Sequence, residues 1–90
     1  MPRVVITHAV EEVDRWLKGK AERAAAIESS GSGSNVTDHV AADGSNNVAV
    51  TADASDVDAI KTMAAAPPAD VLVKMEAHGV VPPLTVYVEA

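Results

Sequence analysis

The chain contains no cysteine and no phenylalanine, and its 90 residues include one tryptophan, Trp16, and one tyrosine, Tyr87. Without cysteine there can be no disulfide staple and no thiolate zinc site. Without phenylalanine the interior must be filled from an apolar share of 48% that is mostly Ala and Val, residues that each bury little area. Cations are also scarce: seven Lys and Arg stand against thirteen Asp and Glu, a formal net charge of −6 and an isoelectric point near 4.8. A nucleic-acid surface needs clustered Lys and Arg to displace phosphate counterions, so this balance argues against DNA or RNA as a partner. No apolar run approaches the ~20 residues that span a bilayer, and no basic-then-apolar leader opens the chain. A cytoplasmic protein without membrane contact is the expectation.

What is present suffices for one small domain over residues 1–90. A domain of this size buries only about 60 to 65% of the surface its unfolded chain exposes, so the core should be thin. Self-association is a common way for such a chain to bury more, and a homodimer in which two sheets cover each other is expected.

The organising stretch is Arg3 to Trp16, RVVITHAVEEVDRW. Arg3 to His8 reads as a strand with Val4, Ile6 and His8 on one face and Val5 and Thr7 on the other. From Val10 the apolar spacing becomes helical, and Val13, Trp16, Leu17, Lys20, Ala24 and Ile27 form an inward stripe. Glu11 with Arg15, Asp14 with Lys18 and Lys18 with Glu22 are spaced as solvated ion pairs worth about 0.3 kcal/mol each. Gly19 weakens the helix by up to about 1 kcal/mol relative to Ala unless a close backbone contact requires it. Ser29 to Ser34, SSGSGS, ends it as a loop.

Val36 to Ala41 alternates as a second strand, with Val36, Asp38 and Val40 opposed to Thr37, His39 and Ala41. The turn residues Asp43 to Asn47 then lead into a third strand from Val48 to Ala52. The Asn35-Val36-Thr37 acceptor pattern is read as accidental in a chain without a secretion signal. Ser55 is the expected N-cap of a helix with Val57, Ile60, Met63 and Ala64 inward. Pro67 and Pro68 break it, and Ala69 to His78 forms another, with Val71, Leu72 and Met75 inward and Gly79 as its stop. Pro82 and Pro83 straighten the chain into a last strand, Leu84 to Glu89. The order β, α, β, β, broken α, β is the split βαβ pattern of an α+β, ferredoxin-like fold: four antiparallel strands with helices on one face.

Two stretches resemble the dimeric α/β-barrel superfamily that includes antibiotic biosynthesis monooxygenases and polyketide cyclases. One is His8 to Trp16, similar to that group's run of a His, a Val, an acid, an aromatic and then Trp. The other is His78-Gly79-Val80-Val81-Pro82-Pro83 before the final strand. Glu12 and Val13 stand where the pattern has Asp and an aromatic, and Lys20 where a Phe is common. The resemblance implies the ferredoxin-like fold and a dimer, and in similar cofactor-independent monooxygenases Trp, Asn and Tyr line the cavity.

Four residues are candidates for a site. Trp16 is the largest core piece or the wall of a pocket for a planar ligand. His8 either bonds a backbone carbonyl or the helix start, or serves as a general base toward a phenol or enol. His39 lies between Thr37 and Ala41 on its strand face, with room to project into a cavity or a dimer interface, and is the other candidate base. Tyr87 is expected on the dimer side of the last strand, as an interface anchor or ligand contact. The histidines lack metal-ligand spacing, no phosphate loop or nucleophile elbow occurs, and no metal or cofactor is expected. Three functions are open: binding of a small apolar or aromatic metabolite between sheet and helices, cofactor-independent oxygenation or cyclisation of a polyketide- or quinol-like substrate, and a structural homodimer without ligand.

Overall fold

The computed structural model describes all residues from Met1 to Ala90. Eight elements follow in order: β1 (Arg3–Val10), α1 (Val13–Lys18), α2 (Lys20–Ser29), β2 (Gly33–Val40), β3 (Asn47–Ala54), α3 (Val57–Ala65), α4 (Ala69–Ala77) and β4 (Val80–Val88). The strands form one antiparallel sheet in the order β2-β3-β1-β4, which is the ferredoxin-like arrangement. Alternation along the central strands decides what faces the helices. Val4, Ile6 and Val10 of β1 and Val48, Val50, Ala52 and Ala54 of β3 are buried, while their neighbours Val5, Thr7, Ala49 and Thr51 turn to the other side.

Only 12 of the 90 residues are buried, so the core is as thin as the composition implies, and it is divided. Val4, Ile6, Ala52 and Ala54 pack with Ile60 of α3, and Val10, Val48 and Val50 pack with Trp16 of α1. The second sheet face carries no helix. It is not uniformly apolar: Arg3 donates to Asp53 at 3.0 Å and to Thr51 at 3.2 Å, and these residues share the face with Val5 and with Tyr87, which pairs opposite Val5.

The structure corrects several local expectations. The first helix is two, broken at Gly19; Leu17 before the break is 39% exposed and Lys20 after it is exposed. Arg23, two turns beyond Trp16, takes the inward place instead. None of the three expected ion pairs along the helix forms: Arg15 donates to the carbonyls of Ala77 and Glu76 at the end of α4, and Glu22 reaches Lys74 and His78. Leu72 is exposed although Val71 and Met75 face inward.

The cap of α3 is Asp56, whose carboxylate accepts from the Ala59 amide at 3.0 Å. Ser55 precedes the cap position by one residue, and its hydroxyl donates to the Gly31 carbonyl at 2.7 Å. The last strand starts at Val80 and includes both prolines, because β4 is an edge strand with a register shift between Thr7 and Ala9, a place where residues without an N–H are tolerated. A second shift, between Ser34 and Thr37 on β2, accommodates Asn35 in the left-handed region at φ 53°.

Gly19 has a cause that lies 59 positions away. The His78 ring rests on its Cα so closely that a Cβ would come within 2.5 Å of the imidazole. Alanine would gain up to about 1 kcal/mol in helix propensity but would expel a ring that contacts both Arg23 and Glu22. Gly19→Ala is therefore expected to lower the melting temperature; a variant that melts higher would contradict this packing.

Candidate functional site

Between the two halves of the core lies a cavity of about 520 Å³. Its floor is the centre of the sheet, Val4, Ile6, Val50 and Ala52, and its walls are Ile27 of α2, Ile60 and Met63 of α3, and Val71 and Met75 of α4. These are aliphatic or thioether side chains. The polar contributors include His8, Glu22, Arg23, Lys74 and His78. Small side chains on β3 and α2 leave this space open, and the shortage of bulky residues is what creates it.

His8 sits on the helix side of β1. Its Nδ1 lies 2.9 Å from the Ala9 carbonyl. An oxygen there accepts, so Nδ1 carries the hydrogen and Nε2 of the neutral ring is left as an acceptor without a protein partner. Burial pushes the His8 pKa below the ordinary value of 6.5; the bond to Ala9 opposes this, the Arg23 charge lowers it further and Asp38 raises it. The ring is thus neutral near pH 7 and able to take a proton.

Trp16 is fully buried, at 0% exposure, and meets the His8 ring edge-on, with centroids 5.9 Å apart and planes at 77°. It belongs to the core behind His8 and is not among the residues lining the cavity. Above the indole lies the Arg23 guanidinium, 4.1 Å from the ring centroid. Arg23 grips Asp38 of β2 through Nη2 at 2.6 Å and Nε at 3.4 Å, and Nη2 also donates to the Trp16 carbonyl at 3.1 Å. The two side chains retain 13% and 2% of their exposure.

The other candidates lie elsewhere. His39 is exposed on the open sheet face, with Nε2 3.0 Å from the Thr51 hydroxyl, beside a shallower hollow of about 410 Å³ that includes Thr7, Pro83 and Thr85. Tyr87 is 57% exposed on that same face. Strand parity puts His39 and Tyr87 on one side of the sheet and Trp16 on the other, so the three candidates do not share one site, and Tyr87 lies on the side expected of it.

Sequence reasoning passed over Arg23, Asp38 and His78. Two signals could have found them. Asp38 alternates with Val36 and Val40, so a carboxylate was assigned to an apolar face with no partner named, and Arg23 lies seven residues after Trp16 on the same helical side. No group of three His, Asp or Glu residues comes together as a metal-binding set. No helix is long and apolar enough to cross a membrane.

The lowered His8 pKa fixes a pH dependence. Unfolded, His8 takes up a proton near 6.5; folded, it does so only at lower pH. Between those values the unfolded chain binds more protons, so stability falls as pH drops below about 6.5. Denaturant titrations at about pH 7.5 and 5.5 should show this loss, and His8→Gln should reduce it. An unchanged slope in a folded variant would place the titrating group elsewhere.

No protein-family model and no curated protein matches the sequence. Among solved structures, the chain is similar to a Deinococcus radiodurans protein whose name assigns it to the antibiotic biosynthesis monooxygenases. The match covers 100% of this chain and 91% of that one, with a TM-score of 0.61 and 11% identity. At that identity the likeness establishes the shared ferredoxin-like fold.

Proposed function

We propose that the protein binds a small apolar or aromatic molecule in the cavity between sheet and helices. The observation that carries this reading is the cavity itself: about 520 Å³ falls within the ~300 to 1,000 Å³ of small-molecule sites, and a mostly apolar lining with a few polar groups is their usual composition. Because His8 Nε2 is an acceptor, the ligand it suits carries a hydroxyl on an otherwise apolar body. A structural dimer without ligand would instead fill that space with Val, Leu and Met side chains.

The arrangement of His8 favours a second reading, cofactor-independent oxygenation or cyclisation of a polyketide- or quinol-like substrate. A neutral imidazole held by its Nδ1–H can accept a phenolic or enolic proton on Nε2, leaving an electron-rich anion in apolar surroundings. The Deinococcus radiodurans protein of the same fold, with its monooxygenase name, is consistent with this as an analogy of fold. His39, the alternative base, faces the uncovered side of the sheet.

That uncovered side supports a homodimer. Tyr87 at 57% exposure and Val81 at 39% lie on a chain that buries few residues of its own, and a second copy would cover them. His39 would then stand at the interface, and in this reading the dimer is a property of the cytoplasmic protein.

Two experiments test these proposals. Quinol-type and polycyclic phenols should perturb the methyl NMR signals of Met63 and Met75 in saturable titrations, and Val71→Phe, which fills the cavity, should weaken binding at least about tenfold; shifts confined to the open face would overturn the assignment. Light scattering at micromolar concentration should give the mass of two chains, and Tyr87→Lys should give one. A wild-type monomer would remove the dimer and leave the cavity proposal standing.

A further inference from the structure

A thin domain gains little by burying an ion pair, because removing two charges from water costs several kcal/mol per ion and the pair's attraction returns this only with good geometry. The Arg23–Asp38 pair is nevertheless largely withdrawn from solvent, its side chains 13% and 2% exposed. Its contacts indicate what it holds. One face of the guanidinium covers the Trp16 indole at 4.1 Å, its Nη2 donates to the Trp16 carbonyl, and its Nη1 comes within 3.4 Å of His78 Nδ1. The indole Nε1–H has no hydrogen-bond partner, so no polar contact of its own fixes the ring. Packing sets its place, and the guanidinium is part of that packing. The same indole meets the His8 ring at 5.9 Å.

We infer that Arg23, gripped by Asp38, is a positioning residue: it clamps the Trp16 indole against His8 and so keeps the imidazole in the orientation that bonds Ala9 through Nδ1 and leaves Nε2 free. This deepens the reading in which His8 contacts the ligand, yet it concerns the unliganded protein and stands or falls without it. The charges near His8 agree with the assignment. Arg23 disfavours the imidazolium and Asp38 favours it, while Glu22, Lys74 and His78, from α2, α4 and the residue that ends α4, are the other titrating groups at this part of the cavity. Loss of the Arg23 charge would therefore act on His8 twice, by removing a repelling cation and by leaving a buried carboxylate beside it.

The test is a nitrogen-15 NMR titration of the His8 ring in the unliganded full chain, with Arg23→Gln and the double variant Arg23→Gln/Asp38→Asn. In the wild type the ring should be the Nδ1–H tautomer with nuclear Overhauser contacts between His8 and Trp16. Arg23→Gln should shift the His8 midpoint upward. The double variant, a neutral hydrogen-bonded pair that avoids a buried lone charge, should bring the midpoint back while weakening the His8–Trp16 contacts and mixing the tautomers. A folded Arg23→Gln with an unmoved midpoint would overturn the inference. So would a double variant that keeps a single tautomer and full contacts, and this arm decides the matter if the single variant does not fold. Failure here would leave ligand binding in the cavity untouched, since that is read from the methionine methyls.

Discussion

The buried contact between Arg23 and Asp38 joins parts of the chain that nothing else ties so closely. Asp38 belongs to an edge strand and Arg23 to a helix above it, and the guanidinium also reaches the last turn of α1 and His78, the residue that ends α4. Remove the cation and the carboxylate is stranded in a site with 2% exposure; remove the carboxylate and the cation over the indole has no counter-charge. Half-satisfied buried charge is among the costlier defects a fold can carry, so the pair enforces one arrangement of helices over sheet. Apolar side chains of the size available here, mostly Val and Ala, would enforce it less.

That arrangement explains how so small a core coexists with a cavity. The hydrophobic residues form two clusters, one under α3 and one under α1, and the sheet between them is roofed by α2 and α4, which meet through Glu22, Lys74 and His78. The roof carries charged groups and His78 at the end where His8 stands, aliphatic and methionine side chains in the middle, and Ser29, Ser30 and Asp70 at the other end. Gly19 belongs to the same construction: the break it makes between α1 and α2 lets the His78 ring lie flat on the backbone beside Arg23. The cavity is thus a consequence of side chains too small to fill the space under helices whose positions are set by polar contacts.

The strands were legible in the sequence because alternation is a local property. Val4-Val5-Ile6-Thr7 and Val48-Ala49-Val50-Thr51 declare their faces within four residues, and turn residues such as Asp43 and Gly44 mark the hairpin. His8 was legible on the face of Val4 and Ile6, and Trp16 on the inward stripe of its helix, but their edge-on contact was not. The start of the last strand was less legible, because the register shift against β1 admits Pro82 and Pro83 into the ladder. What stayed hidden depends on distant partners. Arg23, Asp38 and His78 each resemble ordinary surface residues, and they become a cluster only when positions 15 and 55 residues apart meet. The open-face position of Tyr87 was legible from the alternation of its strand, whereas the side taken by His39 was left open, because Asp38 between Val36 and Val40 blurs which face of β2 is apolar. The Deinococcus radiodurans structure makes the complementary point at 11% identity: patterning specifies this fold with few residues in common, while chemistry is set by side chains that patterning does not fix.

The clamp is tested most directly by hydrogen exchange and rotation of the Arg23 guanidinium, observed by nitrogen-15 NMR in the intact protein with the partly exposed Arg3 as internal reference. The account requires the Arg23 Nε–H to exchange far more slowly than that of Arg3 and its guanidinium to be hindered in rotation. Equal exchange and free rotation at both arginines would mean that no clamp exists and that something else holds the helices over the sheet.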